Sequence, residues 1–185
     1  MRASPMGTFS ISIGTAGDSC ECAWLLVDQL REHGIEASVD PLARVLETAT
    51  TDLRRAHAFF MLAREGGRVV GVAYVVTILS AEHCGPVAWL EELYVTPDCR
   101  NRGIGTALVT AVLERAQEAG VLAVDLEIDA GHKRVISLYQ RLGFRRLERS
   151  RWIRELTRNS RPASLRADDL ALRARTRRRS ESGRR

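Results

Sequence analysis

Apolar and polar residues alternate from Thr8 to Ile13, with Phe9, Ile11 and Ile13 on one side and Thr8, Ser10 and Ser12 on the other. A period of two predicts a strand. The spacing then lengthens. Ala23, Leu26, Val27 and Leu30 recur at helical intervals, predicting a helix over residues 18–32 that His33-Gly34 stops. Asp40-Pro41 supplies an N-cap and first-turn pair for a second helix, with Leu42, Val45, Leu46, Ala49 and Leu53 inward. Residues 59–63 and 69–79 flank Glu65-Gly66-Gly67-Arg68 and read as a hairpin. Residues 87–95 form a further strand.

A helix over residues 103–119 follows, with Ile104, Leu108, Ala111, Val112 and Ala116 inward and Gly120 closing it. Residues 121–128 read as a strand. Residues 132–142 read as a short helix with Val135, Leu138, Tyr139 and Leu142 on one stripe, stopped by Gly143. Residues 144–156 read as a last, charged strand or strand pair. The order β-α-α-β-β-β-α-β-α-β is a mixed α/β design with one parallel crossover around the 103–119 helix.

Past Arg158 the apolar content collapses, and such a segment buries too little surface to offset its ordering entropy. The expected division is a folded domain over residues 1–158 and an arginine-rich, disordered tail over 159–185, with transient helix over 163–175. This tail changes the reading of the net charge of +5. It carries nine arginines against Asp168, Asp169 and Glu181, a surplus of six, so the body before it is at −1. The basic character therefore belongs to a solvated tail, and no nucleic-acid surface is expected on the body. The 185 residues, 45% of them apolar, suit one domain with one sizeable core. No apolar run is long enough for a membrane span, and the amino end lacks a secretory signal pattern. Cys20, Cys22, Cys84 and Cys99 lack metal-site spacing and read as free thiols in a reducing cytoplasm.

The chemistry concentrates in Glu91-Glu92-Leu93-Tyr94-Val95-Thr96-Pro97-Asp98-Cys99-Arg100-Asn101-Arg102-Gly103-Ile104-Gly105-Thr106. A strand runs here into a glycine-bearing turn and a helix start. A helix start presents unpaired N–H groups and the positive end of the macrodipole, which suits a diphosphate. A Walker A loop is excluded, because no Gly-Lys-Ser/Thr follows. A dinucleotide fingerprint has a strand before Gly103-x-Gly105 and Asp125 downstream in its favour. Against it, Leu108 stands where the third glycine belongs, and four candidate strands precede the turn.

Three segments in order carry a resemblance to the GNAT N-acetyltransferases, extending from about residue 9 to 155. Arg100-x-x-Gly103-x-Gly105 is similar to that family's pyrophosphate motif. Leu93-Tyr94-Val95-x-Pro97 matches its cofactor strand, and Tyr139-x-x-x-Gly143-Phe144 looks like its closing signature. The resemblance implies a GNAT-like fold, a central twisted mixed sheet flanked by helices, with acetyl-CoA as acetyl donor and no metal. It further implies that Leu93, Tyr94 and Val95 offer backbone hydrogen bonds to the pantetheine arm where the central strand splays from its neighbour. Arg100, Asn101, Arg102, Gly103, Ile104, Gly105 and Thr106 would wrap the diphosphate, mainly through main-chain N–H groups. His132 stands where the family commonly has Asn, and would either pair with pantetheine amides or cap a helix start.

Amine acetylation needs a neutral amine, yet an alkylammonium with a pKa of about 10.4 is only roughly one part in 10³ neutral near pH 7. A carboxylate that takes the proton is therefore expected. Glu91 and Glu92 are adjacent on a strand and leave on opposite faces unless a bulge intervenes. Similarity to polyamine-type acetyltransferases favours Glu91 as base or ammonium anchor, with Glu92 as the alternative. Tyr139 matches the tyrosine that many family members place near the thioester sulfur, as general acid or hydrogen-bond donor; its place on the apolar stripe also suits a packing role. The acceptor reads as a small primary amine, either a cationic metabolite or an amine antibiotic. A protein lysine or N-terminus remains open, as does a non-catalytic acyl-CoA-binding module docked through its basic tail. A homodimer is compatible with the resemblance.

Overall fold

The computed structural model describes residues 8–51, 57–128 and 135–154. The chain divides into two units, Met1–Arg145 and Arg146–Arg185. The predicted tail and its helix over 163–175, Leu53 and His132 lie outside the described residues.

The first unit holds β1 (Ser10–Ile13), α1 (Ser19–Glu32), α2 (Val39–Thr51), β2 (Ala58–Glu65), β3 (Arg68–Ser80), β4 (Gly85–Val95), α3 (Ile104–Glu118), β5 (Ala123–Leu126) and α4 (Ile136–Arg141). Their order follows the hydrophobic periodicity. The strands form one sheet in the order β1-β2-β3-β4-β5. The pairs β1–β2, β2–β3 and β3–β4 are antiparallel, and β4–β5 is parallel through the α3 crossover. At the β2–β3 hairpin Gly66 and Gly67 sit at φ 58° and 83°, a conformation that the right-handed strand twist favours and a Cβ would strain.

Alternation along the strands feeds two cores. On one face Cys22 and Leu26 of α1 and Leu46 and Ala49 of α2 pack on Phe60, Leu62, Val72 and Tyr74. On the other, Ile104, Leu108, Val109 and Val112 of α3 and Tyr139 of α4 pack on Ala63, Ala73, Val75, Ala88 and Leu90. Each of these large apolar side chains contributes about 1.5–3 kcal/mol when fully buried, so α3 is held to the sheet chiefly by this stripe.

Three expectations are corrected. α2 begins before Asp40: the Leu42 amide donates to the Ser38 carbonyl at 3.4 Å, which puts Ser38 at the cap. Pro41 then falls within the first turn, where its missing N–H costs no helical bond. Val45 is 47% exposed rather than inward, because the buried stripe of α2 runs through Leu46 and Ala49. No strand forms over the described residues 144–154. Within the second unit Leu147, Trp152 and Ile153 are exposed, and the arginines between them leave no apolar face to bury. At the junction the Phe144 amide closes α4 by donating to the Tyr139 carbonyl at 3.0 Å.

Candidate active site

The parallel ladder between β4 and β5 runs from Val87↔Ala123 to Leu90↔Leu126 and stops. β4 continues to Val95, paired only on its β3 side as far as Gly71↔Val95. Among the described residues, no strand covers the other edge of Leu93, Tyr94 and Val95. This opening has the form expected for a strand that splays from its neighbour. The side chains of Leu93 and Val95 pack into the α3 core and that of Tyr94 into the α1 core, so only backbone faces the gap.

A bulge sits at the start of this segment. The register passes from Tyr74↔Glu92 to Val75↔Leu90, leaving Glu91 without a partner on β3. A bulged strand sets two residues opposite one and re-aims the side chains beyond it. Leu90 therefore packs against α3, while Glu92 turns to α1, where Gln29 Nε2 donates to Glu92 Oε2. Glu91 is exposed. The buried Tyr74 phenol is pushed up, first by loss of solvent and then by the charge of Glu91. Both carboxylates thus bear on the side of the sheet that α1 covers, and the alternation that would separate them is cancelled by the bulge.

The turn after β4 leaves its donors open. The Cys99 amide donates to the Thr96 carbonyl at 2.9 Å and the Arg100 amide to the Pro97 carbonyl at 3.4 Å. The first bond of α3 is from the Ala107 amide to the Gly103 carbonyl at 3.0 Å. Between them the amides of Gly103, Ile104, Gly105 and Thr106 have no main-chain acceptor among the described residues. Gly103 caps the helix at φ 83°, a left-handed conformation that disfavours a Cβ, and Asn101 precedes it at φ 62°. A Cβ at Gly105 would meet only Leu138 Cδ1, at 3.5 Å. Packing therefore does not demand glycine there, whereas close approach of a ligand would. These residues fit a diphosphate.

The two guanidiniums of the turn are engaged elsewhere. Arg100 donates to both oxygens of Glu32 at 2.8 and 2.9 Å and to the Val95 carbonyl at 2.8 Å, and it lies 5.4 Å from the centre of the Tyr94 ring. Tyr94 in turn donates to Glu32 at 3.2 Å. Arg100 thus ties the end of α1 to the turn. Arg102 donates to Glu65 at 2.5 and 3.0 Å, tying the β2–β3 hairpin to it and holding the Glu65 carboxyl below its ordinary range. Arg68, donating at 2.7 Å, brings Asp98 down to about 2. Buried Cys99 lies among these groups, 3.7 Å from Arg102 Nη1.

A geometric strut and a free charge behave differently on substitution. Arg100→Lys keeps the charge but loses the bidentate fork. We expect it to weaken acetyl-CoA binding about fivefold, the scale of one or two lost charge-assisted bonds partly compensated. Titration calorimetry reads this directly, and unchanged affinity would mean that charge alone matters at this position.

Tyr139 is buried in the α3 core, its ring edge-on to Phe144 at 5.6 Å. Burial pushes its phenol up to about 12. Leu138 beside it reaches to 3.5 Å from where a Cβ on Gly105 would stand, so α4 and the start of α3 adjoin. No group of three or more His, Cys, Asp or Glu among the described residues could hold a metal.

Sequence reasoning missed Gln29, Glu32, Glu65 and Tyr74. A signal existed for Gln29, since it continues the buried stripe Cys22-Leu26 at helical spacing, where a polar residue is out of place. Glu32 and Glu65 reach the turn from distant elements and left no local trace.

The profile described as "Acetyltransferase (GNAT) family" matches residues 22–144, and the chain belongs to that family. An N-acetyltransferase of Methanocaldococcus jannaschii, uncharacterised by name, is 35% identical over 108 residues, covering 57% of this chain and 48% of its own. A mycothiol acetyltransferase of Pseudarthrobacter chlorophenolicus is 34% identical over 134 residues, covering 68% of this chain and 39% of its own. The chain therefore spans about half the length, or less, of these relatives. In fold it matches a possible acetyltransferase of Clostridium difficile 630 with TM-score 0.69 at 17% identity, covering 80% of this chain and 97% of that one. An aminoglycoside N-acetyltransferase in complex with CoA matches with TM-score 0.68 at 21% identity, covering 80% and 95%. The mixed sheet with helices on both faces is the GNAT fold, and acetyl-CoA is the donor that this family uses.

Proposed function

We propose that this chain transfers the acetyl group of acetyl-CoA to the primary amine of a small cationic acceptor by direct attack on the thioester. The observation that carries the reading is the meeting of an opened β4, with its bulged Glu91, and a helix start whose amides from Gly103 to Thr106 have no main-chain acceptor among the described residues. The free amides suit the diphosphate, and the uncovered edge of Leu93, Tyr94 and Val95 suits the amide-bearing pantetheine arm. His132, outside the described residues, remains a candidate for the same arm. Acetyl-CoA held there supplies an activated acyl thioester.

The residues of the chain do the rest. Glu91 takes the ammonium proton, directly or through a water, and passes it to solvent, giving a positioned route for a proton that the amine has lost only about one part in 10³ of the time near pH 7. The amine nitrogen forms its bond to the acyl carbon as the carbon–sulfur bond breaks. Tyr139 donates a hydrogen bond to the departing sulfur. Its phenol, at about 12, lies roughly 3–4 units above an ordinary thiol, so donation stabilises the thiolate without handing over the proton. Four free thiols suit a reducing cytoplasm as the setting.

Free CoA release across a panel of amines tests the reading, and no release with any amine would contradict it. In the same assay Tyr139→Phe keeps the ring against Phe144 and removes only the donor. Turnover should fall about tenfold, the value of one hydrogen bond made in the transition state, with acetyl-CoA affinity unchanged. Full activity would make Tyr139 a packing residue.

A further inference from the structure

Glu32 stands beside the turn that suits a diphosphate, where a carboxylate is out of place on charge alone. It is the last residue of α1, and it meets the turn through Arg100. Arg100 Nη2 donates to both of its carboxylate oxygens, at 2.8 and 2.9 Å, and Arg100 Nε donates to the Val95 carbonyl at 2.8 Å. The guanidinium lies 5.4 Å from the centre of the Tyr94 ring, and the Tyr94 hydroxyl donates to Glu32 at 3.2 Å. Held by a carboxylate, a carbonyl and a ring face, the guanidinium is fixed in both plane and tilt.

The same turn is tied from another direction. Arg102 donates to Glu65 and Arg68 to Asp98, so the β2–β3 hairpin holds it twice. From α1 it is held through Glu32. The side chains of Arg100 and Glu32 are 41% and 39% exposed, and an ion pair that open to water adds little to the stability of a fold. What the clamp does supply is a fixed base for the amides of Gly103 to Thr106, which begin three residues after Arg100. Donors ordered before a ligand arrives lose less entropy on binding it.

We propose that Glu32 is a positioning residue for the coenzyme. It clamps Arg100 so that the turn is set before acetyl-CoA arrives, and a carboxylate thereby strengthens the binding of an anion. This rests on the reading of the turn as the diphosphate site, and adds to it a residue of α1 that acts through Arg100. The sign of the effect separates the clamp from charge acting through space. Removing a carboxylate near bound phosphates tightens binding if charge alone acts, and weakens it if the clamp acts.

Titration calorimetry of the full chain with acetyl-CoA tests it, with thermal melts alongside. Glu32→Gln keeps the size and loses the charge and one of the two acceptor oxygens. Glu32→Asp keeps the charge and loses the reach. Each should weaken acetyl-CoA binding about fivefold and leave the melting temperature unchanged. Glu32→Gln combined with Arg100→Lys should still weaken it about fivefold, because both changes break one clamp, where independent sites would multiply to about 25-fold. Tighter or unchanged binding by Glu32→Gln, wild-type affinity in Glu32→Asp, a multiplied loss in the double variant, or a lower melting temperature with affinity kept overturns the proposal. Failure of the wild-type chain to bind acetyl-CoA at all would instead remove the reading beneath it.

Discussion

Replacing Gly105 with Asp should weaken acetyl-CoA binding by about a hundredfold or more without lowering the melting temperature. The two halves of this expectation have opposite electrostatic signs. Gly105 is the second residue of α3. An acidic side chain in the first turn favours the helix by about 0.3–1 kcal/mol, and replacing a helical glycine adds a similar amount. The new Cβ meets only Leu138 Cδ1, at 3.5 Å, an ordinary contact. The same carboxylate stands where the amides of Gly103 to Thr106 would hold phosphate. Two like charges about 5 Å apart at an effective dielectric near 20 repel by about 3 kcal/mol, which is more than two decades in affinity. Calorimetry and thermal melts of the variant separate the effects. A parallel loss of stability and affinity would make Gly105 a packing residue, and undiminished affinity would put the phosphates elsewhere.

Glu91→Gln should cost about 10²-fold in turnover, the lower end of what a positioned general base contributes. The amide keeps the length and shape of the side chain but cannot take the ammonium proton. Acetyl-CoA affinity should not change, because Glu91 is exposed at the bulge and belongs to neither the turn nor the backbone edge. A variant with wild-type turnover would remove Glu91 from the mechanism.

What could be read from the sequence was local. The Gly66-Gly67 hairpin, the α3 stripe through Leu108 and Val112, and the turn from Arg100 to Thr106 each follow from side-chain period or backbone freedom within one segment. What escaped depends on partners. The bulge at Glu91 is a property of the β3–β4 register, and periodicity on one strand cannot state it. It decides that Glu92 meets Gln29 rather than the opposite core. From the sequence Arg100 and Arg102 look like phosphate ligands, because their carboxylates, Glu32 and Glu65, lie far away along the chain. Ser38 capping α2 was overshadowed by Asp40-Pro41, whose chemistry suits a helix start two residues later. The strand expected over residues 144–156 rested on sparse apolar residues among arginines, and over 144–154 no sheet face receives them.

The central claim is that open amides at the start of α3 grip the coenzyme's diphosphate. Titration calorimetry of the full chain with acetyl-CoA and, separately, with S-acetylpantetheine, which lacks the diphosphate, tests it most directly. The account predicts one site per chain for acetyl-CoA and binding at least about a hundredfold weaker for S-acetylpantetheine, as expected when several charge-assisted bonds are lost together. Equal affinity for the two, or no binding of acetyl-CoA, would contradict it.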